Sequence, residues 1–240
     1  VGGAINALAG GGSFVAFPTL LFVGVPPVPA NATNCLALFV GTTASGGAYR
    51  SRLAVRDPLT FFLVLTSVLG GLLGAFLLIR TPRATFVRLL PWLMLVATLL
   101  FAGGPHLGKL LGGGPRRDPG AGAVLGACLF QAVVAIYGGY FGGGIGIMIL
   151  AMLSVLGRND LQAMNAFKVL LVGIINGVAS VTFVVTGAVW WPQALAMTGG
   201  AILGGYTAAR HHDRLPPLFV RGFVILAGLS MTVVFFLRRF

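Results

Sequence analysis

Stretches of about twenty apolar residues recur along this chain, and they restrict its fold more than any other feature. A helix rises about 1.5 Å per residue, so such a stretch crosses the ~30 Å hydrocarbon core of a bilayer. The runs at 30–49, 59–79, 85–102, 121–140, 161–185, 191–209 and 218–237 all have roughly this length. They are far longer than the ~10-residue alternating strands of an outer-membrane barrel. Composition closes the remaining option. The chain is 57% hydrophobic and 8% charged, with a mean hydropathy of +0.98, whereas soluble domains carry about 25% charged residues. The expected fold class is all-α, a polytopic helical membrane protein.

Two further apolar stretches, 13–23 and 145–156, are too short to cross. Each would reach only ~17 Å as a helix. Each also follows a glycine cluster, Gly10-Gly11-Gly12 or Gly142-Gly143-Gly144, and so reads as a broken half-helix that enters the membrane part way. The likeness extends further along the chain. Residues 9–13 align with 141–145, Asn34 with Asn165, and Gly70-Gly71 with Gly204-Gly205. Two internal repeats are expected: a first over 1–112, a linker loop at 113–119 and a second over 120–240. The second glycine cluster is preceded by a full apolar run and the first is not, so by symmetry about ten residues of a first helix are expected to be absent. No signal peptide is visible, because Val1 has no basic segment before it.

The 16 Lys+Arg residues face four Asp and no Glu, a net charge of +12. A nucleic-acid partner is not expected, because the basic residues fall in small groups between apolar runs, as in loops beside anionic headgroups. With five segments per half the second repeat is inverted. One face then collects Arg50, Arg52, Arg56, Lys109, Arg116, Arg117, Arg158, Arg210, Arg214 and Arg221. The other keeps Arg80, Arg83, Arg88, Arg238 and Arg239. Four segments per half would give parallel repeats and a nearly even split. The positive-inside rule favours the uneven division, with the larger set cytoplasmic.

Lys168 is the one basic residue that lies deep inside a span. It lies eight residues beyond Asp160, about 12 Å deep if the segment is helical. An ionisable group at such depth marks a functional site by default, the alternative being a lysine whose ammonium climbs to the interface along its stem. Asn165 lies three residues earlier on the same helix face. Its counterpart Asn34 has Asn31 and Thr33 within a turn, so each half offers polar groups beside a glycine break. Asn176 sits further along a similar face. Asparagine is also ordinary glue between membrane helices, but repetition in both halves favours binding.

The glycine clusters allow tight turns and close backbone approach. A half-helix starting there presents unpaired N–H groups and a positive dipole end inside the membrane. Two such ends, from Gly11-Gly12-Ser13 and from Gly143-Gly144-Ile145, would bind an anion with few formal charges. Ser13 could contribute its hydroxyl or cap its helix. Gly70, Gly71, Gly204 and Gly205 are assigned to close helix packing, and Cys35 and Cys128 to packing as well, since they fit no metal or redox spacing. The Asn31-Ala-Thr33 sequon is expected to be buried. His211-His212-Asp213 has no second cluster to complete a metal site. Gly142 to Gly146 follows no soluble strand and is no dinucleotide fingerprint. Trp190-Trp191-Pro192 reads as an interfacial anchor.

Several of these stretches carry a family resemblance: Ala4-Ile-Asn-Ala-Leu-Ala-Gly-Gly-Gly-Ser13 with Pro18, Pro26-Pro27-Val-Pro-Ala-Asn-Ala-Thr-Asn34, Tyr137-Gly-Gly-Tyr-Phe-Gly-Gly-Gly-Ile-Gly146 and Met164-Asn-Ala-Phe-Lys168. Through them the chain resembles the TauE/SafE sulfite exporter family over nearly its whole length. The clipped beginning is the departure. The resemblance implies a multi-pass transporter, in prokaryotes of the cytoplasmic membrane, moving sulfite or small sulfur-containing or carboxylated organic anions.

The expected function is export of such an anion. Substrate-binding candidates are Gly11, Gly12, Ser13, Asn31, Thr33, Asn34, Gly143, Gly144 and Asn165, with Lys168 as counter-ion. No cofactor, metal or catalytic residue is expected. The partners are the anion and the lipid bilayer, and a homodimer is compatible with both. An anion channel is the alternative within transport. A membrane phosphatase is disfavoured, because hydrolysis needs a positioned acid–base or metal and every Asp and His lies in a loop.

Overall fold

The computed structural model describes residues 2, 5–6, 11–46, 58–111, 120–157, 160–210 and 217–237. The linker at 113–119, the connection at 47–57 and His211-His212-Asp213 lie outside the described residues. Those described form nine helices with no strand among them: α1 (Ser13–Phe22), α2 (Pro27–Gly46), α3 (Pro58–Arg80), α4 (Arg83–Leu111), α5 (Ala121–Tyr140), α6 (Ile145–Val155), α7 (Leu161–Val185), α8 (Trp191–Arg210) and α9 (Pro217–Leu237).

Four stretches, Leu59–Arg80, Arg83–Gly103, Gly122–Tyr140 and Gln162–Val185, are long and apolar enough to cross a membrane. The expected short segments are the short helices α1 and α6. α2 starts at Pro27 rather than at 30, since proline lacks only an N–H that the first turn leaves unpaired anyway. α4 continues to Leu111 instead of stopping at 102, so Gly103-Gly104-Pro105 does not end it. Asp160 caps α7 by accepting the Gln162 N–H at 2.9 Å.

Helix packing follows the membrane rule that small residues face inward and large ones face lipid. On α3, Leu65, Leu69, Leu72 and Phe76 are exposed, while Ser67, Gly70, Gly71, Gly74 and Ala75 are buried. A methyl group on Gly70 would stand 2.6 Å from Ala135 Cβ, and one on Gly74 would collide with the Ile136 carbonyl. One on Gly139 would strike the Gly71 carbonyl. The backbones of α3 and α5 thus touch, which accounts for Gly70 and Gly71 as packing residues. Partners rise together, from Ser67–Gln131 to Gly70–Ala135 to Gly74–Ile136, so α3 and α5 are parallel.

Two other pairs run in opposite directions. Along α2, Thr33 meets Trp190, Cys35 meets Ser180 and Asn176, and Phe39 meets Gly177. α2 therefore descends as α7 rises. Along α4, Trp92 packs on Phe236 and Thr98 on Gly228, so α4 and α9 are antiparallel too. α1 packs on α2 and α9, and α6 packs on α7 and α4. The apolar interior forms two clusters. Phe14, Phe17, Phe86, Met94 and Phe183 belong to one, and Leu63, Ile145, Ile149, Leu171 and Ile175 to the other.

The α3–α5 contact predicts that Gly74→Val is disruptive. Overpacking costs about 1–3 kcal/mol where neighbours can yield, and here the neighbours are backbone. A lowered thermal unfolding midpoint in detergent is expected, with Gly103→Val, where nothing lies within 4 Å of an added Cβ, as the tolerated control.

Candidate functional site

The half-helices begin beside the middle of longer ones. α6 lies antiparallel along α7: a Cβ on Gly142 would be 3.8 Å from Asn176 Oδ1, and one on Gly146 would be 3.3 Å from Lys168 Cδ. Asn176 is fifteen residues into the α7 segment that starts at Leu161, so the start of α6 lies about 22 Å along that helix. Gly142 and Gly144 have φ of 82° and 78°, a backbone region open to glycine and costly for other residues. Gly144 lies against α4, where a Cβ would stand 3.3 Å from the Ala97 carbonyl oxygen. Among the described residues, no acceptor pairs with the N–H groups of Gly144, Ile145 or Gly146. The first turn of α6 thus holds its orphan donors and dipole end well inside the protein.

At the other half-helix, Gly12 is the N-cap with no side-chain cap. A Cβ on Gly11 would stand 2.6 Å from Val224 Cγ1 of α9, and one on Gly12 would stand 2.6 Å from Asn6 Cβ. Ser13 does not cap its helix. Its hydroxyl accepts from Asn34 Nδ2 at 3.3 Å. Asn34 is 3% exposed, and among the described residues its Oδ1 has no hydrogen-bond partner. The Phe17 and Phe141 rings stand edge to face with centroids 5.8 Å apart, which joins α1 to the glycine turn preceding α6.

The remaining candidates fall in different places. Asn31, buried, donates Nδ2–H to the Tyr140 carbonyl at 3.0 Å and so ties α2 to the end of α5 just before the glycine turn. Thr33 accepts the Trp190 N–H at 3.0 Å, at the entry to α8. Lys168 donates Nζ–H to Asn165 Oδ1 at 2.9 Å, and its stem passes Gly146. Gly11, Gly12, Ser13 and Asn34 therefore come together, with Asn31, Gly143 and Gly144 adjoining through Tyr140 and Phe141. Asn165 and Lys168 form a separate pair lower on α7. Level with Asn34, the thiol of Cys35 donates to the Asn176 carbonyl at 3.7 Å and lies 3.7 Å from Ser180 Oγ.

Sequence reasoning missed Ser180 and the Tyr140 carbonyl. Ser180 follows Asn176 by one turn, so helical spacing could have found it. A backbone carbonyl carries no sequence signal. Among the described residues no group of His, Cys, Asp or Glu could hold a metal ion. A second buried polar contact, Gln131 Nε2 to Ser67 Oγ at 2.8 Å, lies away from the half-helices between α3 and α5.

Apolar helices of spanning length, two half-helices ending inside the protein and polar groups gathered at their starts define an integral membrane protein of the transporter class. The comparisons agree. The family described as "Sulfite exporter TauE/SafE" matches residues 1–235. A "Probable membrane transporter protein" of Haemophilus influenzae is 30% identical over 95% of this chain and 88% of its own length. "Probable membrane transporter protein ORF9" of Sinorhizobium sp is 25% identical over 97% and 87%. "Probable membrane transporter protein YfcA" of Escherichia coli K12 is 28% identical over 96% and 84%. No solved structure matches the chain. The chain belongs to the TauE/SafE family and is a membrane transporter.

The geometry predicts that Gly144→Ala is harmful beyond its one added methyl. The left-handed backbone costs about 1–2 kcal/mol for an L residue, and the Ala97 backbone limits relaxation. A lowered unfolding midpoint is expected, measured against Gly122→Ala, where no atom lies within 4 Å.

Proposed function

We propose that this transporter exports sulfite, or a related small sulfur-containing or organic anion, across the cytoplasmic membrane. One observation carries the proposal: the unpaired first turn of α6 and the Ser13–Asn34 end of α1 adjoin in the protein interior, joined by Phe17 and Phe141. Helix N-termini attract anions through free N–H groups and the dipole. Discontinuous helices meeting in this way supply anion sites in secondary transporters. The sulfite family description of the matching family supports the substrate class.

The internal repeats belong to the same proposal. If α1 to α4 correspond to α6 to α9, the antiparallel pairs α2–α7 and α4–α9 are counterparts. Counterparts run in opposite directions in inverted repeats and in the same direction in parallel ones. The exchange of partners supports this too, since α1 packs on α2 and α9 while α6 packs on α7 and α4. Rocking one half against the other would then expose the anion alternately to each side.

The cytoplasmic interior is negative, so moving one negative charge outward gains about 2.3 kcal/mol per 100 mV. The apolar spans contain no Asp or Glu to relay protons. Export is therefore electrogenic and independent of a proton gradient. In proteoliposomes, sulfite flux is expected to follow a potassium–valinomycin potential and to ignore an imposed pH difference. Flux that tracks the pH difference and not the potential would refute this mechanism. Lys168→Met is expected to raise the half-saturating sulfite concentration about tenfold, the equivalent of roughly 1.4 kcal/mol.

A further inference from the structure

Lys168 and Ser13 are both candidates for holding the anion, yet they cannot hold it together. Asn34 precedes Cys35, whose thiol bonds to the Asn176 carbonyl. Asn34 therefore lies at the level of Asn176 on α7. Asn165 is eleven residues before Asn176 on the same helix, a distance of about 16 Å along the axis. The Lys168 ammonium does not shorten this gap. It is turned back onto Asn165, toward the start of α7, as side chains on a helix lean. A small oxyanion reaches about 3 Å to each donor, so it cannot bridge the two groups.

We propose that the chain carries two anion stations in series: a charged one, Lys168 with Asn165, toward the membrane face where α7 begins, and a neutral one, Ser13 with Asn34, toward the face where α2 begins. This rests on the anion-transport proposal above and divides its single site in two. The opposite directions of α2 and α7 put the neutral station level with the glycine turn, beside Asn176, and the charged one about 16 Å nearer the start of α7.

Each station has an unmet need that an anion would fill. At the neutral one, Asn34 Oδ1 is buried without a partner among the described residues. A hydroxyl donates as readily as it accepts, and the amide orientation is exchangeable. Turning the Asn34 amide over keeps its contact with Ser13 and presents an N–H donor where the orphan oxygen stands. At the charged station, among the described residues, the Lys168 ammonium has only the neutral Asn165 oxygen opposite it, and its stem crosses Gly146, whose N–H meets no acceptor. α2 ends at the face where α7 begins, and the sequence that follows α2 carries Arg50, Arg52 and Arg56, so the positive-inside rule makes that face the cytoplasmic one. The charged station is thus the capture point for an exporter, and release occurs from the uncharged one, where the anion is held less tightly.

Thiol accessibility tests this without requiring the substrate. In a Cys35→Ser, Cys128→Ser background, Asn165→Cys and Asn34→Cys are labelled in vesicles of each orientation with an impermeant sulfonate-bearing methanethiosulfonate. Asn165→Cys is expected to react at least tenfold faster from the cytoplasmic face, and Asn34→Cys at least tenfold faster from the other. Adding Lys168→Met to Asn165→Cys should slow the sulfonate reagent severalfold and leave its trimethylammonium analogue unslowed. Two cysteines with the same sidedness, no reaction at Asn165→Cys from either face, or equal slowing of both reagents would overturn the proposal. Lys168→Cys replaces Asn165→Cys should the latter fail to insert. The labelling pattern with no sulfite flux in the parent protein would instead reject sulfite and leave the two stations standing.

Discussion

The orphan N–H groups at the start of α6 are the constraint around which the rest of the structure is arranged. In hydrocarbon an unsatisfied backbone group costs several kcal/mol, so a helix does not begin inside a membrane unless protein surrounds its end. Here Ala97 of α4, Lys168 and Asn176 of α7, and Phe141 enclose that end. The long helices cover it, and α7 extends on both sides of it. The glycine turn is what lets those helices close around it, because Gly142 and Gly144 take positive φ angles.

The same economy of side chain operates between α3 and α5, with a different outcome. There Gly70, Gly71, Gly74 and Gly139 bring backbones into contact and leave no room for a ligand. In the turn before α6, glycine lets a helix begin inside the protein, with first-turn N–H groups that find no acceptor among the described residues. Composition cannot tell these two uses apart. The distinction depends on whether the glycine lies within a continuous helix or at the start of a broken one.

Much of the fold was legible because it is local. The limits of α5 and α7 and the brevity of α1 and α6 follow from apolar run length and glycine position. The end of α4 was not, because Gly103-Gly104-Pro105 carries the usual signal of a helix stop and the helix continues to Leu111. The pairing of Asn165 with Lys168 followed from their spacing of three residues. The contacts of Ser13 with Asn34, Asn31 with the Tyr140 carbonyl and Thr33 with the Trp190 N–H join separate helices, and no helical period encodes them.

By itself the sequence determined that this chain lives in a bilayer, that two of its helices stop short, and that asparagine and glycine flank each break. Those properties depend on hydrophobic length and residue type, which are readable one segment at a time. Only the tertiary structure decided which polar groups meet. Asn34 and Asn165 each lie within the first turns of a helix that follows a half-helix, and in the sequence they look like members of one cluster. Because α2 and α7 run in opposite directions, Asn34 falls level with the glycine turn beside Asn176 while Asn165 lies about 16 Å nearer the start of α7, and Lys168 stands beside one asparagine and far from the other.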